Sequence, residues 1–145
     1  MGNQISGEQL TVAFYRPTSS FSAGIALNGT GLTNVVNVTE EGILSAIGIL
    51  VATGPGGSIT AALEIQVDGQ TTESIAIYTA GITFQPAIRG WNTMGDGAGA
   101  PGGGNSVLMI PVGLAYQTSL RVGINVTVAG SSGSLDVNVM RGKRI

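Results

Sequence analysis

Residues 120–129 read Leu-Arg-Val-Gly-Ile-Asn-Val-Thr-Val-Ala, an alternation of apolar with polar or small side chains. In an extended chain successive side chains point to opposite faces. Leu120, Val122, Ile124, Val126 and Val128 therefore share one face, and Arg121, Gly123, Asn125 and Thr127 share the other. A helix would scatter the same residues around its circumference. The period of two recurs elsewhere. Leu63, Ile65 and Val67 alternate with Glu64, Gln66 and Asp68, with Ile75 and Ile77 on a return strand. Leu135, Val137 and Val139 alternate with Asp136 and Asn138. No stretch combines a 3.6-residue period with helix caps, and no solenoid-type repeat is present. The chain reads as all-β.

Shorter runs complete the set. Leu10, Val12 and Phe14 read as a strand near the start, followed by Ser22–Leu27. Val36 and Val38 lead into a turn at Glu40-Glu41-Gly42, and Ser106–Val112 adds a late strand. The count is about eight or nine. Asp68-Gly69 marks a hairpin turn. Gly130–Ser134 reads as a five-residue loop joining the 120–128 and 135–139 strands into a second hairpin. Ile43–Ala52 is apolar on both faces. Its length, flanking glycines and β-branched content favour a strand covered on both sides, with a neighbouring subunit as one expected cover. Between Thr79 and Ser106 the strand pattern weakens, and residues 79–105 read as one long Gly-rich loop.

The expected fold is an antiparallel two-sheet β-sandwich of about eight strands, a jelly roll, over a single domain spanning 1–145. Residues 1–9 read as an N-terminal arm and 141–145 as a basic tail. A chain of 145 residues can bury a core without a disulfide, so the absence of cysteine leaves the redox compartment open.

The residues that are missing narrow the chemistry. There is no His and no Cys, and the sole lysine is Lys143. General acid–base work near neutral pH loses its usual agent, and thiolate nucleophiles and soft metal sites are excluded. Charged residues are 10% of the chain, against about 25% in ordinary soluble domains. Mean hydropathy is nonetheless +0.36. A surface so poor in charge is expected to be hidden in part against other subunits, which implies an oligomer or a component of an assembly. A net charge of −2 with scattered signs gives no field for nucleic acid or a membrane surface. The segment MGNQISGEQL lacks the basic and apolar regions of a secretion leader, and no apolar run approaches a membrane-spanning helix.

Several motifs invite chemistry and are better read as turns. Gly97-Ala-Gly-Ala-Pro-Gly102 matches G-x-G-x-x-G, but Pro101 interrupts it and no helix follows. Gly54-Pro-Gly-Gly57 lacks the Lys-Ser/Thr of a phosphate loop. Glu40 and Glu41 are chain neighbours, whereas paired catalytic carboxylates must face each other across a cleft; they read as a solvated turn. Asp68-Gly69 and Asp96-Gly97 lack calcium-loop spacing. Asn28, Asn37 and Asn125 head glycosylation sequons by pattern alone. Catalytic, cofactor and metal residues are therefore all expected to be none. Two groups suggest partners instead. Trp91 beside Arg89 has the composition of an interface hot spot, and its alternative is a plug for the end of the sandwich. Arg141, Lys143 and Arg144 form a basic cluster that could stay solvated or dock on an acidic partner surface.

Four segments together resemble a family. Gly42-Ile-Leu-Ser-Ala-Ile47 opens a strand after a glycine, Leu63-Glu-Ile-Gln-Val-Asp-Gly69 ends one in Asp-Gly, and Ile110-Pro-Val112 and Ser119-Leu-Arg-Val122 follow late in the chain. The pattern resembles the jelly-roll modules of tailed-bacteriophage virions, especially capsid decoration (cement) proteins. The resemblance covers most of residues 40–140, and residues 79–105 and the N-terminal arm lie outside it. It implies a homo-dimer or homo-trimer on the exterior of the virion, made in the host cytoplasm. There it would contact the major capsid protein at symmetry axes and stabilise the head, with no catalytic residues. The contact residues expected are Asn3, Gln4 and Glu8 of the arm, Arg89 and Trp91 of the loop, and Arg141, Lys143 and Arg144. The alternatives are a tail, fibre or baseplate jelly roll, and a carbohydrate-binding module, which the scarcity of aromatics disfavours.

Overall fold

A computed structural model describes residues 14–81 and 107–145. The alternating segments become eight strands: β1 Tyr15–Ala26, β2 Gly31–Val38, β3 Gly42–Gly56, β4 Ile59–Val67, β5 Glu73–Gly81, β6 Val107–Tyr116, β7 Leu120–Val128 and β8 Ser132–Arg144. They form two four-stranded antiparallel sheets, β1-β8-β3-β6 and β2-β7-β4-β5. Among the described residues there is no helix.

The pairing follows one rule. The first four strands run against the last four in reverse, β1 with β8, β2 with β7, β3 with β6 and β4 with β5. Successive pairs alternate between the two sheets. Added contacts of β3 with β8 and β4 with β7 knit two pairs into each sheet. This is a long ribbon folded over on itself, the jelly-roll topology.

The inward side chains are those that the alternation assigns to the core. Leu63, Ile77, Leu120, Val122, Ile124, Leu135, Val137 and Val139 are fully buried, joined by Leu44, Ile47 and Ile49 from β3. Val128 departs from the expected face pattern: at the end of β7 it is half exposed. The apolar run of β3 has a local cause. Leu44 pairs with Arg141 and Ala46 with Met140, so Ser45 is a bulge that shifts the alternation by one. Leu44 and Ile47 then both point inward, and Ile43, Ala46, Gly48 and Leu50 lie half buried on the other side.

Two expectations about strands are corrected. β7 and β8 do not form a hairpin, since they belong to different sheets. The connection at Ala129–Ser131 crosses the sandwich. It is held by Gly130 N–H donating to Leu27 O (2.9 Å) and Ser131 N–H donating to Gly56 O (2.7 Å). A Cβ at Gly130 would sit 2.4 Å from the Gly56 carbonyl oxygen, so this crossing needs glycine there. Near the start, Phe14 lies outside β1 and is exposed, while Leu10 and Val12 fall outside the described residues. At the expected long loop, β5 continues through Gly81.

The Asp68-Gly69 hairpin is present. Asp68 and Gly69 have φ of 52° and 68°, and Gln70 N–H donates to Val67 O at 2.9 Å, a type I′ turn whose twist suits the flanking strands.

Candidate functional site

One end of the sandwich gathers the turns after β2, β4 and β6 together with the end of β8. Two carboxylates organise it. Asp68 Oδ1 accepts the backbone N–H groups of Gln117, Thr118 and Ser119 at 2.9, 2.7 and 3.1 Å, and the Thr118 hydroxyl at 3.1 Å. Asp68 N–H donates in turn to Ser119 O. Donation from the Thr118, Gln117 and Ser119 amides holds the Asp68 carboxyl down from its ordinary 3.8 to about 2. The β4–β5 turn is thereby tied to the β6–β7 turn, which carries the chain from one sheet to the other beside β4.

Glu40 is the second organiser, and here the expected solvated turn is corrected. Its side chain is largely buried and pairs with Arg141, accepts the Tyr116 hydroxyl at 3.2 Å, and lies 3.6 Å from Lys143 Nζ. Glu41 is more exposed and pairs with Arg144 at 2.5 Å. Desolvation lowers the pKa of the Arg141 guanidinium and raises that of the Tyr116 hydroxyl. The expected basic tail is thus strand through Arg144, its cations meeting the carboxylates of the β2–β3 turn. Nothing in the sequence spacing links residues 40 and 141. Only the β3–β8 pairing, with Leu44 opposite Arg141, brings them together.

The two outer faces of the sandwich contrast. On the sheet β2-β7-β4-β5, Arg121 donates to Gln66 at 3.3 Å and Thr72 at 3.2 Å and pairs with Glu64 at 3.5 Å, and Asn125 donates to Glu64 at 2.9 Å. The polar groups at its centre are thus satisfied from within, while Leu32, opposite Asn125 on the edge strand β2, is 42% exposed. On the sheet β1-β8-β3-β6, the described outward residues include Phe21, Asp136, Asn138, Met140, Ala46 and Leu50. Asp136 carries a charge there and accepts the Gly24 N–H at 2.8 Å, and Arg141, paired with Glu40, reaches its end. Phe21 is 63% exposed.

Small residues leave two depressions on this second face. One, about 200 Å3, is lined by Phe21, Gly48, Ile49, Leu50, Asp136 and Asn138. The other, about 370 Å3, is lined by Pro17, Thr18, Ser19, Ser45, Met140 and Arg141. The expected second cover for β3 is not supplied by the described residues of this chain, and its outer side chains stay half buried.

Of the expected contact residues, Asn3, Gln4, Glu8, Arg89 and Trp91 lie outside the described residues. Arg141, Lys143 and Arg144 come together at one end, as above. Arg16, absent from the expected set, joins them because Arg16 stands opposite Lys143 in the β1–β8 register. Among the described residues no group of three or more Asp, Glu, His or Cys could hold a metal ion, and no helix is long and apolar enough to cross a membrane.

No protein-family model matches the sequence, and no curated protein matches it. Among solved structures, a chain of the cyanophage Pam1 capsid asymmetric unit is similar at TM-score 0.42 and 18% identity, over 99% of each chain. The VP2 subviral particle of infectious bursal disease virus is similar at TM-score 0.41 and 16% identity, over 86% of this chain and 32% of that one. The Gx strain of the same virus gives 0.38 and 15%, over 90% and 37%.

Proposed function

We propose that this chain is a structural virion protein, a jelly-roll module that oligomerises and decorates the major capsid protein lattice of a tailed-phage head from its exterior. The observation that carries the reading is the contrast between the two outer faces. One ties Arg121, Asn125, Glu64, Gln66 and Thr72 to one another at its centre. The other offers Phe21, Leu50 and Met140 around two shallow depressions, where the charges are Asp136 and an Arg141 already paired with Glu40. A charge content of 10% over the whole chain supports a surface meant to be covered. The four sequence segments that resemble phage decoration proteins supply the kind of assembly.

The mechanism is linkage. A protein that binds only the assembled lattice stabilises it by RT ln(1 + [L]/Kd), about 2.7 kcal/mol per site at a hundredfold excess over Kd. Repeated over a shell, such modest terms resist internal pressure. No acid–base or nucleophilic role is assigned to any residue.

Adding the purified chain to undecorated heads tests this. Saturable binding with a rise in head disruption temperature is expected. Absence of both discards the reading, and binding to isolated tails alone moves the protein to a tail or baseplate role.

A further inference from the structure

Four of the six basic residues, Arg16, Arg141, Lys143 and Arg144, lie at one end of the β1–β8 pair. They are not equally engaged. Arg141 is buried against Glu40, and Arg144 pairs with Glu41. Lys143 has 57% of its side chain exposed and stands 3.6 Å from a Glu40 already shared with Arg141 and Tyr116. Arg16 has no ion pair among the described residues and is exposed.

The register places Arg16 directly opposite Lys143. Like charges facing each other across an antiparallel pair destabilise it. Arg16, Lys143, Arg144 and Ile145 line a cleft of about 220 Å3 at this edge. An anion seated between the two cations would turn their repulsion into attraction on both sides.

We infer that this cleft binds carboxylate side chains of an acidic segment on a partner protein, with Arg16 and Lys143 as the principal contacts and Arg144 at the rim. The inference deepens the proposed function, resting on it for the existence of a protein partner. A carboxylate fits better than a nucleic-acid backbone. Phosphate tracking needs an extended run of cations, whereas here the only other basic residue among those described, Arg121, is engaged by Glu64 on the opposite sheet.

The test uses the full chain and three probes at low salt: a labelled peptide carrying six glutamates, a single-stranded oligonucleotide of equal charge, and inorganic phosphate. Peptide binding is expected to exceed that of both comparators. Arg16→Gln and Lys143→Gln should each weaken it about 3- to 10-fold and flatten its salt dependence. Arg16→Glu should abolish peptide binding while raising the melting temperature of the free protein, because a carboxylate then faces Lys143. No peptide binding, unchanged binding in both Gln variants, or a lower melting temperature for Arg16→Glu overturns the assignment. Tighter oligonucleotide binding through the same residues overturns the protein occupant. Since no heads are needed, this result is separable from the fate of the decoration reading.

Discussion

Asp68 shows how one side chain can join two distant turns. Its carboxylate takes three consecutive amides of residues 117–119, and the charged form is the one those donors favour. A folded pKa near 2, below the ordinary 3.8, means that its contribution is fully present above about pH 4 and is lost as pH falls toward 2. Asp68→Asn should therefore melt below the parent at pH 7, with the gap closing between pH 4 and 2. A gap that persists at pH 2 would mean that the amide contacts matter without the charge. Glu40 acts differently, through burial. Glu40→Gln leaves Arg141 without a full counter-charge. The cost should fall between the ~0–1 kcal/mol of exposed pairs and the ~3–5 kcal/mol of fully buried ones, measurable by denaturant unfolding.

At the scale of elements, β3 separates stability from surface function. Ile47 points into the core with no exposure, and Leu50 lies on the outer face beside Phe21. Ile47→Ala should cost about 2–5 kcal/mol of folding stability. Leu50→Lys, which sets a cation opposite Asp136 in the β3–β8 register, should cost far less and should instead weaken the proposed attachment to heads. Equal stability losses for the two would contradict the face assignment. The β7–β8 crossing supplies a sharper case. Gly130→Ala brings a methyl to 2.4 Å from the Gly56 oxygen and 2.7 Å from Ile59, and both are structural neighbours with little room to shift. A loss of about 1–3 kcal/mol is expected on chemical denaturation. A hairpin loop open to solvent, as the alternation alone suggests, would tolerate the change.

For the molecule as a whole, the absence of histidine sets the pH response. No side chain here has an ordinary pKa between about 6 and 8, so attachment through this chain should be flat across that window. Binding isotherms at pH 6, 7 and 8 check this, and a steep change would have to originate in the partner. Salt should act instead, since the cleft at Arg16 and Lys143 is exposed and its attraction is screened.

Much of the fold was legible because a strand's face assignment is local. Alternation alone puts Leu63, Ile65, Ile124, Val137 and Val139 inside, and Asp68-Gly69 alone calls for a turn with two positive φ angles. Sheet membership is not local. An alternating strand buries the same face whether its chain neighbour lies beside it or across the core, so β7 and β8 looked like a hairpin when they are opposite layers. The clusters around Glu40, Asp68 and Arg16 were hidden for the same reason: Asp68 lies 49 residues from Gln117, Glu40 101 from Arg141, and Arg16 further still from Lys143, and spacing carries no signal over such distances. Composition and periodicity determined an all-β, charge-poor sandwich without histidine or cysteine chemistry. Tertiary structure decided which strands became neighbours. It thereby decided which carboxylates met which cations and which sheet face was left apolar, because pairing brings together residues whose separation along the chain is arbitrary.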